Sequence, residues 1–152
     1  MNKFRKVLTG LAMSVILTGL TVMSASAQTD TTTLAAGQSS GSISSSAAFT
    51  SGANSTVNGY VTAVAAVTLG ANSLVTSNVT AGAAFTSGDS SRVNGSVFDK
   101  ADFTSGANSI IYGNVSSAGD VTLGAGSKIL GYVHSGTGVI TYGAGATVGS
   151  VR

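Results

Sequence analysis

The chain is 152 residues long, with 21 glycines, no proline, no cysteine and only 8% charged residues. Without cysteine there are no disulfide staples and no thiol chemistry, and a single histidine leaves zinc of the usual kind unsupported. The formal charge is +2, yet three of the seven cations (Lys3, Arg5 and Lys6) stand at the very start, so no basic stripe exists to neutralise the phosphates of a nucleic acid.

Residues 1–27 read as an export signal. After the positive start, Val7 to Met23 is largely apolar, and Ala25-Ser26-Ala27 is a small-residue cleavage site. A retained membrane anchor needs roughly 20 apolar residues. Here Thr9, Gly10, Ser14, Thr18, Gly19 and Thr21 interrupt a shorter run. Cleavage after Ala27 is expected to leave Gln28 as the N-terminus of a periplasmic, cell-surface or extracellular protein without a membrane span. The remainder carries Arg92, Lys100, Lys128 and Arg152 against Asp30, Asp89, Asp99, Asp102 and Asp120, four minus five, or a net −1.

Residues 28–48 are rich in Ser and Thr and only partly in phase with the repeat that begins at Phe49. Gly41 and Ile43 stand 18 positions before Gly59 and Val61, which predicts a shortened first coil preceded by a flexible tail. From residue 49 to 152 the chain is periodic. Phe49, Val67, Phe85, Phe103, Val121 and Val139 lie 18 apart and open successive rows. The ninth column of those rows is Val57, Val75, Val93, Ile111 and Ile129, and the thirteenth is Val61, Val79, Val97, Val115 and Val133. A fixed period of this size means stacked equivalent coils. β-branched and aromatic residues in all three columns suit strands, while the abundance of Gly, Ser, Thr, Val and Asn disfavours helices. The predicted fold is therefore all-β, a single-stranded parallel β-helix (β-solenoid) with 18 residues per coil, six to seven coils and three short strands per coil. Alternation along each strand points the three columns inward.

Corners repeat as well. Gly52, Gly70, Gly88, Gly106, Gly124 and, after an insertion, Gly143 come after the first strand, and Gly59, Gly95, Gly113 and Gly131 lie between the second and third, with Ser77 the exception. Such columns predict tight bends with backbone angles that a β-carbon resists, and Asn54, Asn72 and Asn108 fit the same logic at another bend. Rows opening with Phe have Ser51, Ser87 or Ser105 two places on, whereas Leu69 and Leu123 come after Val. That exchange keeps the interior volume nearly constant, as close packing requires. Thr141, Gly143, Val148 and Val151 carry the pattern on with an insertion and a deletion.

The phrase Val121-Thr-Leu-Gly-Ala-Gly-Ser-Lys-Ile129-Leu-Gly-Tyr-Val133 resembles the repeat of the bactofilins, polymer-forming bacterial cytoskeletal proteins. So does Phe103-Thr-Ser-Gly-Ala-Asn-Ser-Ile-Ile111-Tyr-Gly-Asn-Val115. The resemblance covers residues 49–151 and implies a right-handed β-helix that joins end to end into filaments without a nucleotide. The export signal departs from that family, so a cytoplasmic scaffold role does not carry over. The left-handed hexapeptide β-helix of acyltransferases shares the coil length, and Leu69-Gly70 or Leu123-Gly124 fit its frame. Against it, Ser87 and Ser105 stand six places before Val93 and Ile111, where that frame needs an aliphatic residue.

Residues able to carry chemistry are few. His134 shares an outward column with Thr62, Thr80, Phe98 and Ser116, and a general base needs a partner and a cleft, so it reads as an exposed substituent. Asp102 and Asp120 share one column in adjacent coils, about 5 Å apart. They read as a surface cluster, with Asp99 nearby and Lys100 placed to neutralise it. A weak cation site through carboxylate oxygens is the second reading, and two-carboxylate catalysis lacks a cleft on a convex rod. Thr50, Thr68, Thr86, Thr104 and Thr122 form an unbroken file, spaced ~4.8 Å on stacked strands. It resembles the faces of β-solenoid ice-binding proteins, which normally carry two such files, while stacked Thr is also simply good strand packing. The Asn-x-Ser/Thr matches at Asn54, Asn78, Asn94 and Asn114 arise from the repeat.

These features predict a secreted, non-enzymatic structural protein without cofactor or metal. Its first expected partner is itself, because the two edges of a β-helix offer unpaired backbone groups. Such pairing would build a filament, surface layer or matrix. The alternative partner is ice or a regular polymer surface engaged by the Thr file.

Overall fold

A computed structural model describes residues 15–17 and 31–152. The expected export signal, residues 1–27, and its cleavage site lie outside these residues, except for Val15–Leu17. The described chain is a parallel β-solenoid of about seven turns without helix. Val61, Val79, Val97, Val115 and Val133 stand directly above one another. So do Val57, Val75, Val93, Ile111 and Ile129. The first column stacks as Phe49, Val67, Phe85, Phe103 and Val121. All fifteen are buried and form one continuous core.

The strands group into three stacks. One is an 8-stranded sheet that includes Ala48–Ser51, Val67–Leu69, Phe85–Ser87, Phe103–Ser105 and Val121–Leu123. The other two, begun by Ser39–Ser40 and Ile43–Ser45, merge into a 12-stranded sheet. They merge because Lys128–Ser135 runs through the corner at Gly131 as one strand and pairs with both stacks.

Both ends depart from the expected register. The first coil begins at Thr31 and is fuller than a tail with a fragment: Thr31–Leu34 pairs with Ala48–Ser51 at an offset of 17, and Ile43 pairs with Val61 at 18. The missing residue falls between Ser40 and Ile43. Thr32 takes the first column with Leu34 after it, and both are fully buried. Thr has the shape of Val, so this coil also obeys the small-then-large rule, although the Thr32 hydroxyl is left without a hydrogen-bond partner. At the other end Ile140, not Val139, pairs with Val121. The extra residue precedes the last strand of this sheet rather than coming after it, and Val139 is half-exposed. Between these ends Phe85 and Phe103 stack with ring centroids 5.2 Å apart and 14° between planes.

The two kinds of corner have different causes. The bend at Asn54, Asn72, Ser90 and Asn108 is left-handed, with φ of 57°, 56°, 57° and 55°, and Gly37, Gly126 and Gly145 fill the same column. Asn and Gly are the residues that tolerate this region. The Gly88 and Gly106 column is different: a Cβ at Gly88 would stand 2.6 Å from the Ala71 nitrogen, and one at Gly106 would stand 2.5 Å from the Gly88 carbonyl carbon. These glycines are required by the close approach of successive coils, not by backbone angle.

Candidate functional site

The most regular outward feature is the threonine file, which is longer than the five residues that the 18-residue period marks. Thr33 pairs with Thr50, and the line continues through Thr68, Thr86, Thr104 and Thr122 to Thr141. Both added residues escape the period because the end coils carry a deletion and an insertion. Strands such as Val67–Leu69 and Phe85–Ser87 are three residues long, with the middle residue alone exposed. One file is therefore all this face can present. Beside it run Ala48, Ala66 and Ala84, replaced by Asp102 and Asp120 in later coils. On the other side lies the Gly52 to Gly124 column, so the early coils expose a narrow ridge of hydroxyls and methyls.

The carboxylates of Asp102 and Asp120 are engaged in holding coils together. Asp102 Oδ1 accepts the Asp120 backbone N–H at 3.0 Å, and Asp120 Oδ1 accepts the Thr137 hydroxyl. Asp89 does the same for the Ala107 N–H at 2.8 Å. Asn78, Ser96 and Asn114 repeat the device, accepting from the backbone N–H of Ser96, Asn114 and Tyr132 one coil later. A side-chain oxygen of one coil thus satisfies a backbone N–H of the next at these bends. No group of three or more His, Cys, Asp or Glu able to hold a metal occurs among the described residues.

Asp99 differs from the neighbouring acids. It points inward, in the column of Ala63, Ala81, Ser117 and Ser135, and is 6% exposed. Its Oδ1 accepts the Ser117 hydroxyl at 2.8 Å, while Oδ2 has no partner. Burial pushes its carboxyl up from the ordinary 3.8 to about 6, against the lowering by Ser117 and the Ala101 backbone, with the Asp102 charge adding to the rise. The expected surface cluster therefore loses this member. Its position two residues after the core residue Val97 is the signal that places it inside. The same alternation leaves Phe98 outward and 43% exposed.

His134 is exposed beside Ser116, and its Nδ1 lies 3.0 Å from the Arg152 carbonyl oxygen. One buried column is not evident from the sequence pattern: Ser55, Ser73, Ser91, Ser109 and Ser127. Ser73, Ser109 and Ser127 donate to the carbonyls of Gly70, Gly106 and Gly124 at 2.7, 2.9 and 2.7 Å, closing the bend between the first and second strands.

The last coil leaves several apolar side chains uncovered. Val139, Tyr142 and Val151 are 48%, 46% and 56% exposed, though Tyr142 and Val151 continue inward columns. Ile140 and Val148 are only partly covered. Comparison with known proteins finds no matching family model, no similar curated protein and no similar solved structure.

Proposed function

We propose that this is an exported, non-enzymatic structural protein that assembles end to end, as the bactofilin-like repeat implies. The observation that carries this reading is the last coil. Among the described residues it offers a strand edge, Ile140–Tyr142, with no further strand paired to it, and half-exposed continuations of the core columns at Tyr142 and Val151. A further coil supplied by a second copy would continue both the hydrogen-bond ladder and the apolar core. At the opposite end Ser39–Ser40 and Ile43–Ser45 likewise lie at sheet edges among the described residues. The non-enzymatic reading is supported by the engagement of the polar side chains: His134 lies against a backbone carbonyl, and Asp89 and Asp102 each accept a backbone N–H of the next coil. The product would be a filament, surface layer or matrix outside the cytoplasm.

Negative-stain microscopy of the purified, signal-free chain tests this directly. Filaments of uniform width are expected, and Tyr142→Asp with Val151→Asp should leave single short rods with unchanged circular dichroism. Dispersed rods from the wild type at high concentration would refute the proposal.

The unbroken line from Thr33 to Thr141 favours a second reading, adhesion to ice or to a regular polymer surface. Thermal hysteresis and recrystallisation assays on wild type and Thr86→Tyr decide it. Activity in the wild type that Thr86→Tyr abolishes would support it, and equal, absent activity in both ends it.

A further inference from the structure

Val15–Leu17 lies beside Thr31–Leu34 in parallel register, with Val15 next to Thr32, Ile16 next to Thr33 and Leu17 next to Leu34. It forms the N-terminal edge of the threonine sheet. Two features give this strand the character of a coil opening. Its offset of 17 equals that between Thr32 and Phe49. Its triplet, Val-Ile-Leu, matches the Val-Thr-Leu triplets that begin at Val67 and Val121. Yet these residues sit in the middle of the apolar run from Val7 to Met23 that reads as the body of the export signal.

We propose that the export signal is also a cap: until it is cut away, Val15–Leu17 occupies the sheet edge on which a second copy would dock. This inference rests on the end-to-end reading and names its occupant, the Ile140–Tyr142 edge of another molecule. The releasing step is hydrolysis of the Ala27–Gln28 peptide bond by an export peptidase. One water is consumed, leaving a carboxylate on Ala27 and an ammonium on Gln28. Before the cut, pairing is intramolecular and favoured by a high effective concentration. After it, a three-residue strand on a separate peptide has lost that advantage, and a whole coil from another copy outcompetes it. Assembly is thereby confined to molecules that have been exported.

The test uses the full chain, made without export and held in mild detergent, with a site-specific protease sequence replacing Ala25-Ser26-Ala27. Light scattering and negative-stain microscopy monitor assembly before and after cutting, and amide exchange monitors Thr31–Leu34. The uncut chain is expected to stay as single rods and the cut chain to form filaments. Under conditions that keep the cut chain monomeric, exchange at Thr31–Leu34 is expected to rise about fivefold, what one backbone hydrogen bond is worth. A second variant, Val15→Asp with Leu17→Asp, should assemble without cutting. Equal assembly of cut and uncut chains overturns the cap and leaves the filament reading standing. Failure of both to assemble overturns the filament reading and the cap with it. If the cut chain assembles but the uncut double variant does not, strand pairing is not what blocks the edge, and the cap is again overturned.

Discussion

Replacing Asp99 with alanine should stabilise this protein at neutral pH, although the residue is buried and hydrogen-bonded. Its carboxyl titrates near pH 6 in the fold against an ordinary 3.8, so keeping it ionised inside costs about 3 kcal/mol relative to the unfolded chain. The sign comes from proton counting. Between pH 4 and 6 the folded state holds a proton that the unfolded state has released, so stability falls as pH rises through that window and is level beyond it. Below the window Asp99 is neutral in both states and the cost vanishes. Alanine already fills the same column at Ala63 and Ala81, both buried, so the space tolerates it. Ser117 loses one acceptor but keeps the Ala101 carbonyl at 2.7 Å. Urea denaturation of wild type and Asp99→Ala from pH 3.5 to 8 is the assay. The variant should gain up to about 3 kcal/mol at pH 7.5, with the difference shrinking to within about 1 kcal/mol at pH 3.5. A variant less stable than wild type at pH 7.5, or a difference that does not change with pH, would refute the reasoning.

The volume rule can be checked by transplanting one row into another. Phe103→Val alone and Ser105→Leu alone should each cost about 1–3 kcal/mol, by cavity and by overpacking, whereas the pair, which copies Val121 and Leu123, should cost less than either. The glycine columns should separate by cause: Gly106→Ala drives a Cβ into the Gly88 backbone and should cost about 2 kcal/mol or more. Asn108→Gly should be nearly silent and Asn108→Val should cost about 1–2 kcal/mol, because only the left-handed angle is at stake there. Thermal melts of these variants at one pH suffice for each comparison.

The middle coils are legible because their sequence obeys two periods at once. Eighteen residues separate equivalent positions, and alternation by two tells inside from outside, so Val93 or Val115 can be assigned to the core without coordinates. The ends are not legible to the same rule. A one-residue deletion before Ile43 and an insertion before Ile140 slip the count, hiding Thr33 and promoting Val139 wrongly to the first column. Asp99 escapes for a different reason. Its charge suggests the surface, whereas its place after Val97 requires the interior. The serine column is hidden because Ser reads as polar, whereas at Ser73, Ser109 and Ser127 the hydroxyl turns back to a carbonyl three residues earlier and the side chain is buried.

The same regularity explains why the fold speaks so much more loudly than the function. Stacking identical coils commits the inward columns to volume, one corner column to left-handed backbone and another to the absence of a Cβ. The outward acids and amides at the bends are drawn into the ladder too, as Asp102, Asp89 and Asn114 show. What remains free to act is limited to the outward files and the two terminal coils. Most outward files change character from coil to coil: the column of Thr80 holds Phe98 in the next coil and Ser116 in the one after. The Thr file does not vary, and among the described residues the last coil has a neighbouring coil on one side only. A stacked fold of this kind stabilises each coil through contact with the next, so the coil with a missing neighbour is where association gains most.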